Sequence, residues 1–254
     1  MAARTIIVGD VHGCADELED LFDAIGLTTD DRLVMVGDLV QRGPHPERVL
    51  HLVMEAGGQS VRGNHEDRLL RWLRHPRNQG FRDHELRRLD RELARTADRL
   101  DTSAWDFVKA MPLWLDLEEH GVRVVHAGVV PGQPIDAAPR RALLYMRSLD
   151  DDGNPRERRQ EGQPWASRYR GPPHVVFGHD AVRGLQLHPW ATGLDTGCVY
   201  GGRLSALVLK RGEPLAEGER RHEQIASVPA RKRYVDPTRY RNRRSNRERR
   251  GRSH

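Results

Sequence analysis

With 254 residues, 37% of them hydrophobic and 31% charged, the chain can bury a full core and suits one large α/β domain. No apolar run approaches the roughly 20 residues that span a bilayer, and "MAARTIIVGD" enters a strand-like run with no apolar leader; we expect a cytoplasmic protein without a membrane partner. Two cysteines, Cys14 and Cys198, exclude a disulfide scaffold and lack zinc-type spacing, so they read as reduced bystanders.

The elements alternate from the start. Residues 4–9, "RTIIVG", form a strand that ends at Gly-Asp, and "ADELEDLFDAIG" carries Leu18, Leu21, Phe22 and Ile25 at helical spacing. "RLVMVGD" repeats the strand, "PERVLHLVMEAGG" is a helix opened by proline and closed by glycines, and "QSVRGNHE" leads to a third strand end. This βαβαβ order predicts a mainly parallel, helix-covered sheet. Over residues 82–110, Leu86, Leu89, Leu93, Ala97 and Leu100 mark one charged amphipathic helix, an insertion lying over the body with a solvated arginine face. "WLDLEE", "VRVVHAG", "HVVFGHD" and "LSALVLK" read as further strands, with a Pro- and Arg-rich excursion over residues 131–173, where Trp165 and Tyr169 are expected to pack against the body.

Residues 220–254 hold 13 Lys or Arg against 3 Asp or Glu, a net of +10, which leaves −5 for residues 1–219 of a chain carrying +5 overall. The first 219 residues are therefore taken as the domain, and residues 220–254 as a basic tail expected to be disordered. The tail could hold RNA or another polyanion, with Tyr234 and Tyr240 available to stack on bases.

Chemistry-bearing residues collect where strands end. Three glycine-bearing loops supply Asp10 and His12, then Asp38, then Asn64; two later strands end at His126 and His179. In an open α/β sheet ligands bind at the carboxyl ends of the strands. Asp, Asn and His together suit a borderline divalent ion such as manganese, iron or zinc and lean away from magnesium or calcium, which prefer oxygen alone.

"GDVHG", "GDLVQRG", "GNHE", "HAG" and a late histidine, in that order over residues 9–179, resemble the calcineurin-like metallophosphoesterases, in their phosphoprotein phosphatase branch. The closing segment "GLDTGCVYGGRLSALVL" is similar to symmetrical diadenosine tetraphosphate hydrolases and to small bacterial Ser/Thr phosphatases. The resemblance implies an α/β sandwich of mixed sheets flanked by helices, with a helical cap insertion. It implies two divalent ions, manganese first among manganese, iron, zinc and cobalt. Asp10, His12 and Asp38 would hold one ion, and Asp38 would bridge to a second held by Asn64, His126 and His179. A hydroxide shared by the ions would attack phosphorus in line. His65 would protonate the leaving oxygen, Arg42 would grip phosphate, and a second arginine, Arg168 or Arg170, would come from "WASRYRG". Glu66 would orient its neighbours or cap the following helix.

One position departs from the Ser/Thr phosphatase pattern: Gln41 stands where those enzymes carry an aspartate beside the catalytic histidine. A neutral amide orients His65 without stabilising its charged form, which suits substrates with good leaving groups. The leading expectation is hydrolysis of nucleotide phosphoanhydrides such as diadenosine tetraphosphate, extending to capped RNA ends. A bacterial Ser/Thr protein phosphatase is the alternative, favoured by "GNHE" over the "GNHD" of typical tetraphosphate hydrolases. A non-catalytic nucleic-acid-binding protein stands third, because a body without catalysis has no need of six ligands.

Overall fold

The computed structural model describes residues 3–74 and 84–236. β1 (Arg4–Val8) sends Ile6 and Val8 to one face and Ile7 to the other, the two-residue period of a strand covered on both sides. α1 (Ala15–Ile25) buries Leu18 and Leu21 and ends at Gly26, whose φ of 57° is left-handed. β2 (Arg32–Met35), α2 (Pro46–Glu55) and β3 (Gln59–Ser60) complete the alternation, and the three strands run parallel.

α3 (Asn64–Arg74), α4 (His84–Arg99) and α5 (Thr102–Ala110) follow. The single helix expected over 82–110 is in fact two, because Asp101 leaves the helical conformation and its carboxylate accepts the Ala104 N–H at 2.8 Å, starting a new helix. Leu93, Leu100, Ala104 and Val108 join residues of α1 and α2 in one buried cluster. Residues 75–83 and the side chains of Leu86 and Leu89 lie outside the described residues.

The second half runs through β4 (Trp114–Leu117), β5 (Val122–Val125), α6 (Arg140–Tyr145), the short strands β6 (Ser148–Leu149), β7 (Pro155–Arg156) and β8 (Gln163–Pro164), and α7 (Trp165–Arg168). β9 (His174–Phe177), β10 (Gln186–His188), β11 (Ala191–Gly193), β12 (Arg203–Lys210) and β13 (Ile225–Pro229) complete it. Trp165 is buried and donates Nε1–H to Ala127 O at 3.0 Å, so the excursion is sealed onto the body as expected.

Two five-stranded sheets, ordered β13-β12-β1-β2-β3 and β10-β11-β9-β5-β4, pack face to face. Ile7, Val34 and Leu207 of the first meet Val122, Val124 and Val176 of the second, while α1, α2, α4 and α5 cover one outer face and α6 and α7 the other. The mixed sandwich that the resemblance implies is present: β12 runs antiparallel to β1, against the parallel β1-β2-β3 set. β5, β9 and β11 form a second parallel set. Among the described residues no helix is long and apolar enough to cross a membrane.

The boundary expected at residue 219 is too early. β13 pairs with β12 from Arg203↔Pro229 to Leu207↔Ile225, and Arg221 is buried, donating to Ala216 O, His188 O and Thr192 Oγ1. Arg231 forms a fork on Asp20, at 2.9 and 2.7 Å, and its main-chain N–H donates to Glu17. Tyr234, expected to be free for stacking, is half-buried and donates its hydroxyl to Glu17 Oε1 at 2.9 Å. The acidic face of α1 fixes the first part of this basic segment, which charge counting alone does not reveal. Residues 237–254, with Tyr240, lie outside the described residues.

Candidate active site

The carboxyl ends of the two parallel sets supply one polar residue per strand: Asp10 after β1, Asp38 after β2, Asn64 after β3, His126 after β5, His179 after β9 and Asp195 after β11. All six are buried, with His12 and His65 beside them. Five residues other than glycine adopt positive φ among the described residues, and every one is a residue singled out in the sequence: His12 (49°), Asp38 (52°), Gln41 (67°), Arg42 (69°) and His179 (71°). Such backbone stores about 1–3 kcal/mol per residue and concentrates at functional sites. Gly63 and Gly178 allow the close approach: a Cβ would overlap Asp38 Oδ1 at the first and Asp10 Oδ1 at the second.

Asp38 is the hub. Its Oδ2 lies 3.5 Å from His12 Nε2, its Oδ1 lies 3.5 Å from His126 Nε2, and Oδ1 accepts the His65 main-chain N–H at 2.9 Å. Asp10 accepts the His179 main-chain N–H at 3.1 Å. Carbonyl oxygens orient the imidazoles: Val40 O faces His12 Nδ1, Val36 O faces His126 Nδ1 and Tyr145 O faces His179 Nε2, at 3.3, 2.9 and 3.2 Å. Donation to those carbonyls leaves each opposite ring nitrogen with its lone pair, the arrangement that carbonyl partners give metal-binding histidines.

His126 Nε2 then stands 3.0 Å from Asn64 Oδ1 and 3.5 Å from Asp38 Oδ1, so acceptors face acceptors. Burial pushes the carboxyls of Asp38 and Asp195 up to about 6, and burial together with Asp195 and Asp38 holds Asp10 well above the usual range. Burial also holds His12, His65 and His179 well below the ordinary imidazole value and lowers His126 to about 4. Crowded carboxylates with neutral imidazoles are the donor set that a divalent cation satisfies. The ligand atoms fall into two groups that share Asp38: His12, Asp38 and His65, and Asp38, His126 and His179.

His65 Nδ1 is 2.7 Å from Gln41 Oε1, its Nε2 has no hydrogen-bond partner among the described residues, and its ring stands edge-on to His12 at 4.8 Å. The Glu66 carboxylate accepts main-chain N–H bonds from Asp38, Leu39, Val40 and Gly63 at 2.8–3.0 Å. It holds the loops of Asp38 and Asn64 together, as the sequence reading allowed. Burial first and Asp38 second push its carboxyl up to about 7. Glu66→Gln leaves some of these N–H groups facing an amide NH₂, each worth about 1–3 kcal/mol when unpaired. We expect a clear drop in the denaturation midpoint of metal-free protein; an unchanged midpoint would show that the cradle does not matter.

Arg42 is at the site, its Nη1 2.9 Å from His12 Nε2 and its guanidinium over the Tyr200 ring at 5.5 Å. Arg168 and Arg170 are not. Both are exposed, Arg168 donating to Asp150 O and Arg170 to Ser167 O and Tyr169 O of their own excursion. Arg147 lies beside the site instead, half-buried, donating to His179 O at 3.1 Å, with its charge acting on Asp38, His126 and His179. Asp195 was likewise missed by the sequence reading, although it follows a strand as the other five do. Cys14 and Cys198 are buried together; a hydrogen bond from the Cys198 thiol to Cys14, with burial, pushes the Cys198 thiol up, which removes it from thiolate chemistry.

These are candidate metal-binding groups, and the chain belongs to the calcineurin-like phosphoesterase family, whose profile matches residues 3–214. It is thus a metal-dependent phosphohydrolase of a family that uses two divalent ions. It is 31% identical over 220 residues to the asymmetrical bis(5′-nucleosyl)-tetraphosphatase PrpE of Halalkalibacterium halodurans, covering 79% of this chain and 88% of that protein. The PrpE of Anoxybacillus flavithermus is 30% identical over the same shares. A solved structure provisionally assigned as a diadenosine tetraphosphatase is 39% identical, with TM-score 0.74 over 91% of this chain and 95% of that one. A protein serine/threonine phosphatase from Saccharomyces cerevisiae, 14% identical with TM-score 0.55 over 90% and 79%, shares the fold alone.

Proposed function

We propose that the chain hydrolyses phosphoanhydride bonds of dinucleoside polyphosphates, with diadenosine tetraphosphate as the type substrate. The observation that carries this reading is the neutral Gln41 amide, 2.7 Å from His65 Nδ1. An amide oxygen accepts Nδ1–H and fixes the ring, but it adds little to the stability of imidazolium. Imidazolium is then sparsely populated near neutral pH, a shortage that hampers expulsion of a serine alkoxide more than of a phosphate leaving group. The names of the curated relatives support the same substrate class.

In this reading Asp10, His12 and Asp38 hold one divalent ion, and Asp38, Asn64, His126 and His179 hold the other, manganese being the first choice. When bound, the ions supply the positive charge that activates water and draws charge from the phosphoryl oxygens. Arg42 and Arg147 orient the phosphoryl group, and His65 delivers a proton from Nε2 to the leaving oxygen. Backbone strain at Asp38, Gln41 and Arg42 keeps these groups placed before substrate arrives.

The test is turnover of diadenosine tetraphosphate against a phosphoserine peptide with manganese, read by product. Preference for the dinucleotide is expected, and ATP plus AMP would match the asymmetrical relatives, whereas ADP alone would match the symmetrical enzymes. Preference for the peptide would overturn the reading in favour of a protein phosphatase. In Gln41→Asp the new carboxylate stabilises imidazolium, so the His65 pKa rises and the alkaline limb of kcat moves to higher pH, with relative gain on esters. An unchanged limb and an unchanged preference would remove Gln41 from the account.

A further inference from the structure

Arg68 is a cation that the mechanism does not use. It lies one helical turn beyond Asn64 on α3, so its side chain leaves the same face as the ligand amide. Three residues further along that face, Arg71 reaches the hydroxyl of Tyr145 at 2.8 Å, and the Tyr145 ring stands edge-on to His179 at 6.4 Å. Arg68 is therefore bracketed by the metal cluster on one side and the Tyr145 wall on the other.

Its neighbours are anchored. Arg71 and Arg140 both pair with Asp67, at 3.0 and 2.5 Å, and Arg62 donates to Lys109 O at 2.8 Å. Arg68 is half-buried, and among the described residues no carboxylate pairs with it. Its charge nevertheless acts on Asp38, His65 and Tyr145. A partly desolvated guanidinium without a carboxylate partner among the described residues, beside a site that takes phosphate, has a natural counter-ion in a further phosphate.

We propose that Arg68 binds the phosphate adjoining the one that is cleaved, making the site a receptor for a polyphosphate chain instead of a lone phosphoryl group. This rests on the phosphoanhydride reading for its meaning, but it is tested without a nucleotide. Arg42 and Arg147 serve the reacting phosphoryl group, and Arg68 extends the row of guanidinium groups along α3. Chain length then becomes a selection criterion: a phosphomonoester makes no use of Arg68, and a tetraphosphate does.

The experiment is inhibition of p-nitrophenyl phosphate hydrolysis by inorganic tripolyphosphate and by orthophosphate, with free manganese held constant, in the parent, Arg68→Ala and Arg68→Lys. Arg68→Ala is expected to raise the inhibition constant of tripolyphosphate about tenfold, the scale of one charge-assisted hydrogen bond. The orthophosphate constant, p-nitrophenyl phosphate turnover and the thermal midpoint should stay at parent values, and Arg68→Lys should recover part of the loss. Equal weakening of both inhibitors, or no change in either, would overturn the proposal. Failure of the phosphoanhydride reading shows separately, as a parent enzyme that prefers the phosphopeptide.

Discussion

Asp38→Asn is expected to lower kcat with manganese by roughly 10³-fold or more, the equivalent of ~4 kcal/mol in the barrier. The size follows from the position of the carboxylate. Asp38 is the single residue common to both groups of ligand atoms, with one oxygen 3.5 Å from His12 and the other 3.5 Å from His126. An amide keeps the shape and one oxygen but removes the negative charge that two cations would share. The main-chain N–H of His65 can still donate to the remaining oxygen, so the fold should survive. Metal content and thermal midpoint are the controls: loss of metal with an unaltered metal-free midpoint is the expected pair, and full activity with a full metal complement would contradict the bridging role.

His65→Gln is expected to reduce kcat by about 10²–10⁴-fold on a substrate with a poor leaving group, the range for removal of a general acid. KM should change little, because in the proposed role Nε2, which has no partner among the described residues, serves the leaving oxygen and not ground-state binding. The loss should shrink on p-nitrophenyl phosphate, whose leaving group needs little protonation. His65 also belongs to the ligand group with His12 and Asp38, with Nε2 4.0 Å from Asp38 Oδ2. Metal analysis separates the two roles: an acid leaves the metal content intact, whereas a ligand takes an ion with it.

Much of this site was legible because one rule repeats. Strand, glycine, polar residue occurs at Asp10, Asp38, Asn64 and His179, His126 follows its strand directly, and the structure brings all five to one rim. Asp195 also follows a strand, two residues after β11 ends, and was missed because β11 is three residues, "ATG", with no apolar run to announce it. Arg147 was not singled out because the resemblance pointed to the segment of Arg168 and Arg170. Its place beside the site is set by where α6 deposits the chain relative to His179, a tertiary fact.

The remaining errors have the same origin. β13 depends on β12, its neighbour in the sheet but not in pattern, and its period of two is hidden within a basic segment. The break between α4 and α5 turned on one side chain, Asp101, whose capping bond outweighed the continuity of the leucine spacing.

The central claim is that these strand ends hold two divalent ions sharing Asp38, and anomalous diffraction from manganese-loaded crystals tests it most directly. The account predicts two peaks about 3.5–4 Å apart, one beside Asp10, His12 and Asp38 and the other beside Asp38, Asn64, His126 and His179. A single peak, or manganese at the buried Cys14, Glu17 and Cys198 group instead, would contradict it.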